Sequence, residues 1–147
     1  MSSIFSGGFN KLLRNIAAST TDTEFEQRLT KATFSLDNKE PKEKHVIYML
    51  ECFNGEHRNQ IKMEGALKLL FERMITCLDN WTINVKVLLI MHRSLQNIKV
   101  NRKIYAEMKK KEHLIHSYQN KKAETNFTVR MHCEISRQYA NYIKAYL

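Results

Sequence analysis

Apolar residues recur along this chain at helical rather than strand spacing. Phe25 and Leu29 stand four apart; Val46, Leu50 and Phe53 follow at i, i+4 and i+7. Caps then divide the pattern. Thr21 to Glu24 matches the Ser/Thr-x-x-Glu capping box and predicts a helix to about Phe34, followed by a polar loop over Ser35–Glu40. Pro41 suits a first helical position, and Asn54-Gly55 ends the helix it opens. Further helices are expected over Arg58–Thr76, with Ile61, Leu67, Leu70, Phe71 and Met74 inward, and over the largely buried Trp81–Gln96. Arg102–Tyr118, carrying Ile104, Tyr105, Met108, Leu114 and Ile115, and a tail from Thr128 with Ile135, Tyr139, Tyr142, Ile143 and Tyr146 complete the set.

The first sixteen residues form a weaker amphipathic segment. Phe5, Phe9, Leu12 and Ile16 make one stripe, with Lys11 and Arg14 off it. Gly7 and Gly8 cost such a helix about 1 kcal/mol each, so it is expected to fold best against a surface.

Composition supports the helices: four Gly and one Pro among 147 residues leave little room for strands and turns. One all-α domain spanning residues 1–147 is expected, with about six to seven helices stacked serially as a solenoid or a compact bundle. Cys52, Cys77 and Cys133 are too few and too scattered for a disulfide framework, which suits a reducing cytosol. The run from Val85 to Met91 is interrupted by Lys86 and is far short of the ~20 residues of a membrane span. With no secretory signal in the sequence, the triplets Asn80-Trp81-Thr82 and Asn126-Phe127-Thr128 are read as coincidental glycosylation matches.

Charge changes the picture. The net +9 is concentrated in residues 86–122, where ten Lys/Arg against two Glu give +8 and leave +1 for the rest. Such a block suits an acidic membrane, a nucleic acid or an acidic protein, or simply a solvated helix face. A second feature is smaller and sharper. The first turn of the Pro41 helix should carry acids to match its dipole, yet it holds Lys42, Lys44 and His45 with only Glu43. Unpaired N–H groups, two ammonium heads and an imidazole make a multidentate phosphate site, in which phosphates favour a protonated His45. Lys31, ending the preceding helix, can reach the same spot or complement its own helix dipole.

These residues resemble a known family. Lys31-Ala32-Thr33, a short loop and Pro41-Lys42-Glu43-Lys44-His45-Val46 are similar to the signature of ANTH domains, the phosphoinositide-binding heads of clathrin-assembly adaptors. The likeness continues in Leu70–Arg73, Trp81 with Lys86, Leu88–Arg93 and Arg137-x-Tyr139-x-x-Tyr142-Ile143. It implies a right-handed superhelical stack, and phosphatidylinositol 4,5-bisphosphate held by Lys31, Lys42, Lys44 and His45. The loop before Pro41 is about one residue longer than the family pattern, which makes Lys39 a substitute for Lys31. ANTH domains are also considerably longer, so the resemblance implies a C-terminally truncated one. The related epsin-type ENTH domains are this short and use basic residues spaced like Lys11 and Arg14, but Thr82 and Ile83 stand where they carry basic residues.

The resemblance further implies a cytoplasmic, peripheral protein of plasma or endosomal membranes and clathrin-coated pits, without a cofactor. Phe5, Phe9 and Leu12 would insert, Lys11, Arg14 and Lys39 would add contacts, and clathrin components would engage regions outside this chain. An acidic protein cargo is a further expected partner. No nucleic acid is expected, since aromatic residues are not interleaved with the basic ones. A basic nucleic-acid-binding or acidic-protein-binding scaffold is the alternative. His113 and His116 lack a third metal ligand, and no Gly-rich loop, nucleophile elbow or carboxylate pair supports an enzyme.

Overall fold

A computed structural model describes residues 8–9, 11–14, 23–36, 39–97, 102–120 and 125–147, apart from the side chain of residue 102. Six α-helices run in order: α1 (Glu24–Ala32), α2 (Glu43–Phe53), α3 (Met63–Thr76), α4 (Trp81–Gln96), α5 (Arg102–Lys110) and α6 (Phe127–Tyr146). A 3-10 turn, Glu112–Leu114, follows α5, and the described residues contain no strand. Residues 8–9 and 11–14 are also helical, with Phe9 and Leu12 exposed, whereas Phe5 and Ile16 lie outside the described residues.

All six helices contribute to one contiguous apolar cluster. α1 supplies Phe25, Leu29 and Ala32; α4 supplies Val87, Leu88, Ile90 and Met91, all fully enclosed. Truncating Leu88, Ile90 or Met91 to alanine should cost about 2–5 kcal/mol. The main packing joins helices adjacent or next-but-one in the described series: α1 with α2 and α3, α2 with α3 and α4, α3 with α4 and α5, and α4 with α5 and α6.

Several helix limits differ from the sequence expectation for identifiable reasons. α1 is capped by Thr23, whose hydroxyl accepts the Glu26 N–H at 3.2 Å, not by Thr21. The same Thr-x-x-Glu pattern recurs two residues later and keeps both Glu24 and Glu26 at the positive helix end. Pro41 stands just outside α2, whose N-cap is Lys42. α3 begins at Met63 rather than Arg58, because the chain first turns back on α2. Gly55 takes φ +80°, the Tyr48 hydroxyl donates to Gln60 at 2.8 Å, and His57 meets Glu51 at 2.7 Å. A side chain at 55 would also collide with Arg58, whose Nε lies 2.9 Å from the position of a Cβ.

The helix expected to reach Tyr118 stops at Lys110. No breaker marks this point. Instead a buried asparagine on α4 captures the following backbone: Asn84 Oδ1 accepts the Tyr118 N–H at 3.0 Å, and its amide donates to the His116 carbonyl at 3.0 Å. Ser136 of α6 donates to the same Oδ1 and accepts from the same N–H, so three segments share one polar knot. Asn80 and Asn126, both from glycosylation-type triplets, are N-caps: each side chain accepts an N–H three residues on at 3.1 Å. Trp81 stacks on His132 at 4.2 Å between ring centroids, and the half-buried His92 meets the Tyr139 hydroxyl through Nδ1 at 3.0 Å. Cys52 is buried, while Cys77 and Cys133 are half-buried rather than fully enclosed.

Candidate anion-binding site

α1 turns two faces outward and inward. While Phe25, Leu29 and Ala32 pack inward, Glu24, Gln27, Arg28 and Lys31 fall at i, i+3, i+4 and i+7 on the opposite flank. That flank meets Lys44 and His45 in the first turn of α2. Together the six residues line an open recess of about 360 Å³.

Of the residues expected from sequence, Lys31, Lys44 and His45 are thus brought together. Lys42 is the exposed N-cap of α2 and does not line the recess, but its charge, with those of Arg28, Lys44 and Lys31, acts on His45. Lys39 lies elsewhere, lining a separate cavity of about 600 Å³ with Pro41, Trp81, Val85, Leu89 and His132. Lys31, rather than its proposed substitute, therefore faces the recess. The carbonyl end of α1 has its own donors: Thr33 donates to the Leu29 carbonyl through N–H and hydroxyl, and Lys86 Nζ donates to the Phe34 carbonyl at 2.8 Å. Lys31 stands in the last turn of α1, where its charge also complements the helix dipole. Lys11 and Arg14 are helical but do not line the recess.

His45 departs from expectation. Its side chain is buried, at 5% exposure. Burial first, then the charges of Arg28, Lys44, Lys31 and Lys42, pushes its pKa down to about 4. The imidazole is therefore neutral at pH 7. Arg28 Nη1 lies 3.4 Å from Nδ1, and a guanidinium can only donate, so Nδ1 accepts and Nε2 carries the proton. The same guanidinium reaches Glu24 at 3.1 Å through Nη2 and rests over the Tyr48 ring, 5.0 Å from its centroid.

Glu43, the one acid of the α2 first turn, is turned away. Arg93 of α4 holds it through two bonds of 2.6 and 3.1 Å, and this pairing lowers the Glu43 pKa. The recess is left with three permanent cations, Arg28, Lys31 and Lys44, against Glu24. Its chemistry suits a small, multiply charged anion.

Sequence reasoning missed Arg28, Gln27 and Glu24. The signal was present in their helical spacing with Lys31, but it becomes specific only once α1 is known to lie beside the start of α2.

The basic block has a different fate. Lys86 is buried, Arg93 is paired with Glu43, Lys109 meets Glu112 at 3.0 Å and Lys110 meets Glu107 at 3.1 Å. Lys99, Lys121 and Lys122 fall outside the described residues.

Fold and site together define an all-α protein with a cationic recess between its first two described helices. Compared with protein-family models, curated proteins and solved structures, the chain matches none. Among the described residues no helix is long and apolar enough to cross a membrane.

Proposed function

We propose that this chain is a phosphoinositide-binding membrane adaptor module of the ANTH type, a right-handed superhelical stack that holds phosphatidylinositol 4,5-bisphosphate. The observation that carries the reading is the convergence of Arg28, Lys31, Lys44 and His45 on one recess, with Lys42 close by. Packing between helices adjacent or next-but-one in order accords with a stack.

The head group enters the recess, its phosphates taking N–H groups of the α2 start and the ammonium heads of Lys31, Lys42 and Lys44. Negative charge beside His45 raises the imidazole pKa, so binding takes up a proton. The exposed Phe9 and Leu12, next to Lys11, contribute membrane contact. Each lysine near an anionic surface adds ~1 kcal/mol, enough for several to govern residence. A part in clathrin-mediated endocytosis at cytosolic membrane faces follows from the motif resemblance, with coat components engaging other regions and acidic cargo as a further partner.

Sedimentation with liposomes containing or lacking the bisphosphate lipid tests this reading. Wild type should pellet only with the lipid, and Lys42→Glu/Lys44→Glu should stay in solution. Equal binding in all cases would refute the site. An RNA titration against salt addresses a phosphate-tracking scaffold, which predicts a steep salt slope unaffected by the double substitution.

A further inference from the structure

We propose that Arg28 is a phosphate ligand held in reserve by Glu24, whose carboxylate competes with the incoming anion for the guanidinium. The proposal rests on reading the recess as a phosphate site and adds to that reading a residue outside the Lys31, Lys42, Lys44 and His45 set.

The geometry places Arg28 at the centre of the recess. One nitrogen of its fork touches His45 Nδ1 at 3.4 Å, the other touches Glu24 Oε1 at 3.1 Å, and Lys31 and Lys44 line the same space. The Tyr48 ring lies under the guanidinium, whose carbon is 5.0 Å from the ring centroid, and adds a cation–π contact. An arginine fork matches two oxygens of one phosphate, whereas a lysine offers a point charge, so Arg28 is the side chain suited to bidentate grip.

Glu24 already satisfies half of that fork with the same chemistry. A carboxylate carries one negative charge; a phosphate monoester carries about 1.5 to 2 at neutral pH, so the phosphate wins the exchange beside three cations. The Glu24–Arg28 pair is partly exposed, with side chains 44% and 30% accessible, so the carboxylate can swing into water when displaced. A partly exposed i,i+4 pair is a weak interaction, which makes it a weak latch. The latch sets a threshold. Singly charged anions gain little by exchanging with Glu24, while adjacent phosphates on one ring gain much.

The test compares wild type with Glu24→Gln, Arg28→Gln, Arg28→Lys and the Glu24→Gln/Arg28→Gln double variant. Each is titrated with pyrophosphate and with inositol trisphosphate, and sedimented with vesicles with and without the bisphosphate lipid. Glu24→Gln should bind pyrophosphate about threefold more tightly, the scale of one weak ion pair removed. Arg28→Gln should bind about tenfold more weakly, with Arg28→Lys, which keeps charge but lacks the fork, in between. In the double variant the gain from Glu24→Gln should vanish. Unchanged or weaker pyrophosphate binding by Glu24→Gln overturns the latch, as does a gain that persists without Arg28, or no pyrophosphate binding by any form. Vesicles judge the membrane reading separately: tighter pyrophosphate binding by Glu24→Gln without lipid-dependent sedimentation keeps the latch and removes the lipid.

Discussion

Two basic regions of this molecule have opposite relations to the sequence. Residues 86–122 hold ten Lys/Arg against two Glu and dominate any linear view of charge. In space several of those cations already have internal partners: the Phe34 carbonyl for Lys86, Glu43 for Arg93, Glu112 for Lys109 and Glu107 for Lys110. The recess draws few residues from any one stretch, yet sets Arg28 and Lys31 of α1 beside Lys44 of α2 with a single acid among them. An anion responds to the local field and to donors that can converge on it, not to charge per length of chain.

The comparison breaks most visibly under charge reversal. Lys31→Glu/Lys44→Glu should weaken binding to bisphosphate-containing vesicles by about 4 kcal/mol, near a thousandfold, since each lysine is removed and then opposed. Lys109→Glu/Lys110→Glu should cost far less, within about tenfold. Vesicle titration of the two variants decides it, and an equal loss in both would show that the block, not the recess, meets the membrane.

A pH series sharpens the contrast next, because the His45 imidazole is neutral in the folded recess yet ordinarily takes a proton just below neutrality. Arg28, Lys44, Lys31 and Lys42 act on it as fixed cations and Glu24 lies across the recess. The folded state keeps the imidazole neutral down to about pH 4, whereas the unfolded chain takes the proton near the ordinary 6.5. Between these values the unfolded state binds more protons, so stability rises with pH and acidification costs on the order of 3 kcal/mol. Urea melts from pH 7 to 4.5 should show this loss, and His45→Gln should flatten it. Phosphate affinity should run the other way, rising as pH falls from 7 to 6, because a bound phosphate favours the protonated ring.

Within the basic block, Lys86 should matter for folding rather than for binding. Lys86→Met leaves the buried Phe34 carbonyl without its lysine donor and should lower stability by about 2 kcal/mol. Lys44→Met, at an exposed position, should shift it by less than about 0.5 kcal/mol. Chemical denaturation of both variants measures the difference.

Helix content was legible wherever apolar spacing and a cap agreed, as for Trp81–Gln96, whose limits the structure keeps. It was not legible where a distant side chain holds the backbone beyond an element. After α5 closes in a 3-10 turn, Asn84 holds the backbone at His116 and Tyr118, and nothing near residue 110 announces the change. The site followed the same rule. Lys42, Lys44 and His45 stood out because they oppose their own helix dipole, a local conflict. Arg28 did not, because its environment depends on α1 lying against α2, and the burial of His45 is likewise a product of packing.

The smallest effect comes from the bond linking the two regions. Arg93, from the basic block, holds Glu43 away from the lysines on either side of it through two oxygens. Both side chains are well exposed, 39% and 58%, so the pair should add less than about 1 kcal/mol to stability. Its larger consequence is electrostatic. In Arg93→Gln the Glu43 carboxylate is released beside Lys42 and Lys44, where it competes for the same ammonium heads as a phosphate. Pyrophosphate affinity should fall about two- to threefold, and Glu43→Gln added to Arg93→Gln should restore it. If Arg93→Gln weakens binding and the second substitution does not recover it, Arg93 acts on the anion directly, and the basic block contributes to the site after all.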